Sequence, residues 1–531
     1  MPRLSRPLVF LAALLLLGCT EEKIVFRDPN TFNPPADAQS GFLGYFTVSN
    51  KRTTCGGCHI AHQRDWAPTR HADAYATLAN LGSQAQPFCF SCHTVTEKGN
   101  SATGTVGHDA VQDTSYRDVQ CESCHGPGLE HVEEPDAEGG QVPRAHVGVA
   151  DTGASCASCH SGAHHPFVDE WEQSGHAEVL AAPAGRAECQ SCHTGQGALR
   201  AWNVNTNYVE RDDPTQLPIA CAVCHDPHGS ANGKQLRYAI DNPDPEQNLC
   251  MRCHIRRTEP VGGSAQGARP HAPQGAVLMG SAGFRPSGFT YDTSRAFTSH
   301  ASERNPRLCA GCHVLGYEIT DSLTGAFQVA TTGHLFKATP CLGAQGQPIA
   351  DTSCARTVQA RSWRSCTNSG CHASPEAAAS AFANNVARLQ ALSDQLWVDA
   401  DNDETIDPTG DTGYLPQIKA GRPAEFTADA TITAAEGAEF NARMVGIGLY
   451  GNGDNSYGVH NPFLSEALLR ASVQELQRTY ALTAPSAAVR RILEEPMKQP
   501  SVAPLRSGVK SSTMPPARVS VRPASLRTAS R

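Results

Sequence analysis

The stretch CGGCHIAHQRDWAPTRHA, residues 55–72, places Cys55 and Cys58 three positions apart, follows them at once with His59, and offers Trp66 and His71 shortly downstream. One short turn with this spacing presents two thiols to the two vinyl groups of a single porphyrin, while the adjoining imidazole reaches the iron. The pattern recurs as Cys89-Cys92-His93, Cys121-Cys124-His125, Cys156-Cys159-His160, Cys189-Cys192-His193, Cys221-Cys224-His225, Cys250-Cys253-His254 and Cys309-Cys312-His313, making eight copies. A longer ninth form, CTNSGCH, carries Cys366, Cys371 and His372, with four residues between its cysteines. Zinc ribbons also use C-x-x-C pairs but need no histidine after each, and a disulfide framework needs none at all. The sequence therefore predicts nine covalently bound haem c groups.

Eighteen of the 21 cysteines are used in this way, leaving Cys19, Cys341 and Cys354. Cys341 and Cys354 are expected to form a disulfide in an exported protein. The alternative is a further attachment site with an atypical gap, although no histidine follows Cys354.

Nine of the 22 histidines serve as proximal ligands, and thirteen remain. An iron with two histidines is six-coordinate and has no open position for substrate, so the spare histidines separate a carrier from a catalyst. His71 (WAPTRHA) and His176 (WEQSGHA) lie in two near-copies of W-x-x-[ST]-x-H-A, an internal repeat outside the attachment motifs. His228 in CHDPHG is too close to His225 to share its iron, and His131 in CESCHGPGLEH is placed similarly. His271, His300, His334 and His460 complete eight candidate distal ligands, and His165 is the ninth, with His164 as its rival. His62, His108, His146 and His164 are read as ordinary surface or core residues.

The eight C-x-x-C-H sites, the segments CESCHGPG and CHDPHG, and the two W-x-x-[ST]-x-H-A repeats resemble the multihaem c-type cytochromes of the doubled-motif class. They are also similar to the tetrahaem cytochromes of nitrifying bacteria. The resemblance spans about residues 50–372, with GVHNPF as an outlying match. It implies a family of electron carriers, surface reductases and nitrogen- or sulfur-oxyanion enzymes. Enzymatic members break the pattern at one haem, by a lysine in place of the proximal histidine or by an open distal face. No C-x-x-C-K occurs here.

Residues 1–18, basic at Arg3 and Arg6 and then apolar, read as a signal peptide too short to span a bilayer. Leu16-Leu17-Gly18-Cys19 resembles a lipobox, which implies lipidation of Cys19 and an anchored protein. An ordinary signal peptide is the alternative. Residues 19–45 form the anchor and tether, 46–265 a haem domain with seven C-x-x-C-H sites, and 266–372 a second with the last two sites. Residues 373–495 form a helical region carrying His460, and 496–531 a basic tail expected to be disordered. One helix is predicted from Ser374 as N-cap through Leu396, and another from Asn461-Pro462 through Tyr480. Between them, Asp399, Asp401 and Asp403 alternate as at the start of a calcium loop, but its sixth position is Glu404 and its twelfth Gly410. A solvated acidic turn is the competing reading.

Only 6% of residues are aromatic and the apolar runs are scattered, so the expected fold is mainly α with extensive loops, little regular sheet, and haems forming the core. A net charge of −9 argues against a nucleic-acid partner. The sequence thus points to a nine-haem lipoprotein that transfers electrons in the periplasm or outside the cell. Its expected partners are other cytochromes or a porin-cytochrome conduit, and its expected location is the outer membrane. The alternative is an oxidoreductase acting on a small nitrogen or sulfur compound at one five-coordinate haem, and a filament or conduit subunit is a third possibility compatible with the first.

Overall fold

The computed structural model describes residues 41–499 apart from 83–85, 97–106, 137–141, 150–155, 205–206, 264–268, 296–299, 322, 369–370, 428 and 447–452. The signal segment, Cys19, most of the tether and the tail from residue 500 lie outside the described residues. The fold is mainly helical with long loops. Among the described residues its sheet is confined to three antiparallel pairs: β1 (Tyr45–Thr47) with β2 (Arg52–Thr53), β3 (Tyr317–Thr320) with β4 (Phe327–Thr331), and β5 (Cys341–Leu342) with β6 (Pro348–Ile349). Among the described residues no helix is long and apolar enough to cross a membrane.

The attachment cysteines sit on short helical turns, including Pro87–His93, Cys121–His125, Ala187–His193, Cys221–Cys224 and Cys309–His313. A three-residue step in a helix returns nearly to the same face, so both sulfurs of a pair point one way.

The chain divides into two compact units, Met1–Cys159 with Asn207–Asp212, and His160–Thr206 with Asp213–Arg531. In the first, small clusters of Phe42, Val95 and Tyr116, and of Tyr45, Trp66 and Ala72, lie between the motifs. Trp66 donates its indole N–H to the Val119 carbonyl at 3.0 Å, and the His71 carbonyl accepts from the Val119 N–H at 3.0 Å. The second unit repeats this arrangement: the Trp171 indole donates to the Ile219 carbonyl at 2.9 Å, and the His176 carbonyl accepts from the Ile219 N–H at 3.1 Å. Val119 and Ile219 each stand two residues ahead of a motif, at Cys121 and Cys221. The Trp-His segments therefore staple the third and sixth motifs in the same way.

The second unit also carries a side-chain core built from five helices: α1 (Pro375–Leu396), α2 (Tyr414–Gly421), α3 (Ala434–Val445), α4 (Pro462–Tyr480) and α5 (Ala487–Glu494). Ser374 and Asn461 cap α1 and α4 by accepting the N–H groups of Ala377 and Leu464, and proline follows each cap. Leu389, Leu392 and Leu396 of α1 meet Phe440 and Met444 of α3 and Leu464, Leu468, Leu469, Val473 and Leu476 of α4. Each such side chain contributes roughly 2 kcal/mol when taken out of water. The α3 sequence AAEGAEFNARMV has too few large apolar residues to announce a helix, yet small residues let it be buried on almost every face.

Candidate functional site

A metal-binding imidazole needs one nitrogen tied down and the other free, and the backbone does this at four attachment motifs. Nδ1 of His93 donates to the Ala74 carbonyl at 2.8 Å, that of His125 to Pro143 at 2.7 Å, that of His225 to Lys234 at 2.8 Å, and that of His313 to Phe336 at 2.8 Å. Each bond fixes the tautomer that carries its lone pair on Nε2. Lys234 and Phe336 reach these acceptor positions with φ of 60° and 54°, left-handed backbone that a side chain makes costly. Such strain at a ligand acceptor fits a position selected for geometry.

Six proximal imidazoles face a second imidazole. Ring centres are 6.4 Å apart for His59 and His131, 6.2 Å for His254 and His176, and 6.1 Å for His193 and His271. They are 6.3 Å apart for His225 and His334, 6.1 Å for His313 and His460, and 6.5 Å for His372 and His300. An iron bonded at about 2 Å to two imidazole nitrogens holds the ring centres about 6 Å apart. Burial pushes His176, His300, His313 and His334 down to about 4, and it also lowers His71, His193, His225 and His254. These rings are held toward the neutral form that a metal takes. The donor set, paired thiols beside neutral imidazoles, fits haem c.

The other candidate ligands are placed less simply. His71 is half-buried beside the buried Ala72, and His228 has its Nδ1 3.6 Å from Asp226 Oδ1. His160 packs edge-on to Phe167 with ring centres 5.4 Å apart, and the His165 N–H donates to the Gly162 carbonyl. His164 stacks on Phe327 at 4.6 Å, and His146 pairs with Glu210 at 3.2 Å. His62, read from the sequence as an ordinary residue, lies 6.3 Å from His59, as close as His131 does.

The thiols meet across motifs. Cys55 lies beside Cys121, Cys92 beside Cys159, Cys192 beside Cys253, and Cys250 beside Cys309. Cys124 lies within electrostatic range of Cys156, Cys224 of Cys253, and Cys312 of Cys366 and Cys371. Numbering the motifs along the chain, their spatial order is 1–3–4–2 for the attachment cysteines of the first unit. In the second it is 5–7–8–9, with the sixth beside the seventh. Cys341 and Cys354 are bonded to each other with Cα atoms 6.0 Å apart.

Three carboxylates that the attachment pattern does not require lie around the site. Asp454 Oδ1 meets His460 Nδ1 at 2.6 Å. The Nδ1–H of His334 donates to Thr332 Oγ1 at 3.0 Å, and that hydroxyl donates to Glu170 Oε2 at 2.8 Å. Glu122, inside the third motif, accepts the N–H groups of Leu43, Gly44 and Gly128 at 3.0, 2.8 and 2.9 Å. Burial pushes its carboxyl up to about 7 although those donors pull it down. Glu170 stands 162 residues from Thr332, so no local pattern marks that role, whereas Asp454 and His460 are six apart.

Paired imidazoles beside two-thiol turns, repeated along one chain, define a class: the protein is a multihaem c-type cytochrome. Residues 218–258 match the family described as the doubled CXXCH motif, and residues 54–126 match cytochrome c554 and c-prime. The chain is 27% identical over 203 residues to the multiheme cytochrome MtrA of Shewanella baltica, covering 34% of this chain and 56% of that protein. It is 26% identical over 214 residues to the C-type polyheme cytochrome OmcC of Geobacter sulfurreducens, covering 34% of this chain and 27% of that one. For OmcB of the same organism the identity is 26% over 232 residues, covering 36% and 29%. The chain thus spans about half the length of MtrA and under a third of the Geobacter proteins. No solved structure matches.

Proposed function

We propose that this protein is a nine-haem c-type cytochrome, exported and anchored to the outer membrane through a lipid on Cys19, that transfers electrons in the periplasm or at the cell surface. The observation that carries this reading is the set of six imidazole pairs with ring centres 6.1–6.5 Å apart. Haem c supplies an iron that takes up and releases one electron between two permanent ligands. The chain's own residues do the rest. The cysteine pairs fix each group covalently, the Nδ1 hydrogen bonds aim Nε2, and burial holds His176, His193, His225, His254, His300, His313 and His334 toward the neutral form. Thiols that meet across motifs bring successive attachment sites together, as a conduction path requires. The acidic loop at Asp399 adds a calcium site to these cofactors. Redox partners in this reading are other cytochromes or a porin-cytochrome conduit.

Low-temperature electron paramagnetic resonance of the oxidised protein, with haem counted by pyridine haemochrome and intact mass, tests the reading. Nine haems, all low-spin, support a carrier. A stoichiometric high-spin signal that shifts with nitrite, hydroxylamine or cyanide replaces it with the oxidoreductase reading. The intact mass also reports whether the mature chain starts at a lipidated Cys19.

A further inference from the structure

The loop between α1 and α2 brings together Asp399, Asp401 and Asp403, with one carboxylate oxygen from each within 4.8 Å of the others. Asp401 and Asp403 are exposed, as an ordinary acidic turn would have them. Asp399 is not. Only 5% of it is accessible, and while its Oδ2 accepts the Glu404 N–H at 2.9 Å, its Oδ1 is buried with no hydrogen-bond partner. A buried carboxylate oxygen left without a donor costs roughly 1 to 3 kcal/mol or more, and beside two further carboxylates the cost rises by repulsion. A cation removes both.

We infer that this loop binds one calcium ion. The ligands converging here are all oxygen, which selects a hard cation over zinc or copper. Bonds of about 2.4 Å to calcium bridge oxygens that lie up to 4.8 Å apart, whereas magnesium, with bonds of about 2.1 Å, demands a tighter octahedron. The surroundings hold the loop ready. Asp411 accepts the Trp397 indole N–H at 2.8 Å, the Asp407 N–H at 2.8 Å and the Ala400 N–H at 3.0 Å, and Arg443 of α3 donates to the Glu404 carbonyl at 2.9 Å. Glu404 adopts φ of 59° at the position where a calcium loop ordinarily has glycine, so the departure noted in sequence is absorbed by backbone. The ion would join the end of α1 to α2 and so brace the helical core from which His460 projects.

The test is calorimetric titration of calcium chloride into the chelator-treated holoprotein, with thermal melting with and without calcium. Haem content and visible spectrum of the same sample are recorded, so a failed haem reading is seen separately. The expected result is saturable binding of one ion and a higher melting temperature with calcium. The exposed double variant Asp401→Asn/Asp403→Asn keeps the fold and loses about tenfold or more in affinity. No heat at millimolar calcium overturns the inference, as does unchanged affinity in the double variant. Equal affinity for magnesium chloride overturns the assignment to calcium.

Discussion

Nδ1 of His460 lies 2.6 Å from Oδ1 of Asp454, and only 4% of Asp454 is accessible. His313, the imidazole facing His460, instead gives its Nδ1–H to a backbone carbonyl. A carboxylate accepting that proton lends the ring imidazolate character, which stabilises the oxidised iron more than the reduced one. Burial pushes His460 down, but the charge and hydrogen bond of Asp454 outweigh it and the net shift is upward. With haem bound there, the pair at the eighth motif would be biased toward a low potential. Asp454→Asn is expected to raise the potential of one haem by roughly 60 mV, the equivalent of a tenfold change for one electron, and leave the others in place. Spectroelectrochemical titration reads this, and an unchanged set of potentials would show that Asp454 does not tune the site.

His300 and His372 test the longest-spaced motif. Their rings are 6.5 Å apart and inclined by 28°. His300→Ala should leave the haem count by mass unchanged, since the thiols are untouched, and, in the proposed reading, convert one haem to a high-spin form that binds cyanide. A wholly low-spin spectrum in that variant would mean that another residue ligates the ninth iron.

Gly458 precedes His460 by two residues and has φ of 74°. A Cβ there would stand 2.2 Å from Leu389 Cδ1 of α1 and 3.0 Å from Asn385 Nδ2. Gly458→Ala combines left-handed backbone with overpacking, and about 3 kcal/mol of lost stability is expected. Thermal unfolding followed by circular dichroism checks it, and a variant as stable as the parent would contradict this packing.

The bond between Cys341 and Cys354 closes a loop with a sequence separation of 13. Replacing both cysteines by alanine should cost about 3 kcal/mol through the freed unfolded chain. The haem count should stay the same, because neither sulfur belongs to an attachment motif. Loss of a haem, read by intact mass, would instead assign one of these sulfurs to attachment.

Much of the site is legible in the chain because it is local. Two thiols and an imidazole must fall within one turn to serve one porphyrin, so the attachment residues can only appear as a contiguous word. The helices α1 and α4 are equally local, each marked by a capping side chain, a proline and leucines at helical spacing. The α3 helix left no such mark, because its residues are small and its burial comes from its neighbours. His62 lies 6.3 Å from His59, a neighbour three places away along the chain, so that contact is local.

The sequence by itself determined the cofactor type and offered a proximal histidine at each motif with a pool of second histidines, since covalent and first-turn chemistry depends on neighbours along the chain. Tertiary structure decided the partnerships. His460 comes back to His313, His334 to His225 and His271 to His193 across loops of very different length. It also decided the spatial order of the motifs, in which Cys55 meets Cys121 and Cys192 meets Cys253, pairs that are not consecutive along the chain. Metal ligation and electron transfer depend on separation in space, and closing a longer loop costs only slowly increasing entropy, so the spacing of histidines along the chain places little constraint on which two will meet.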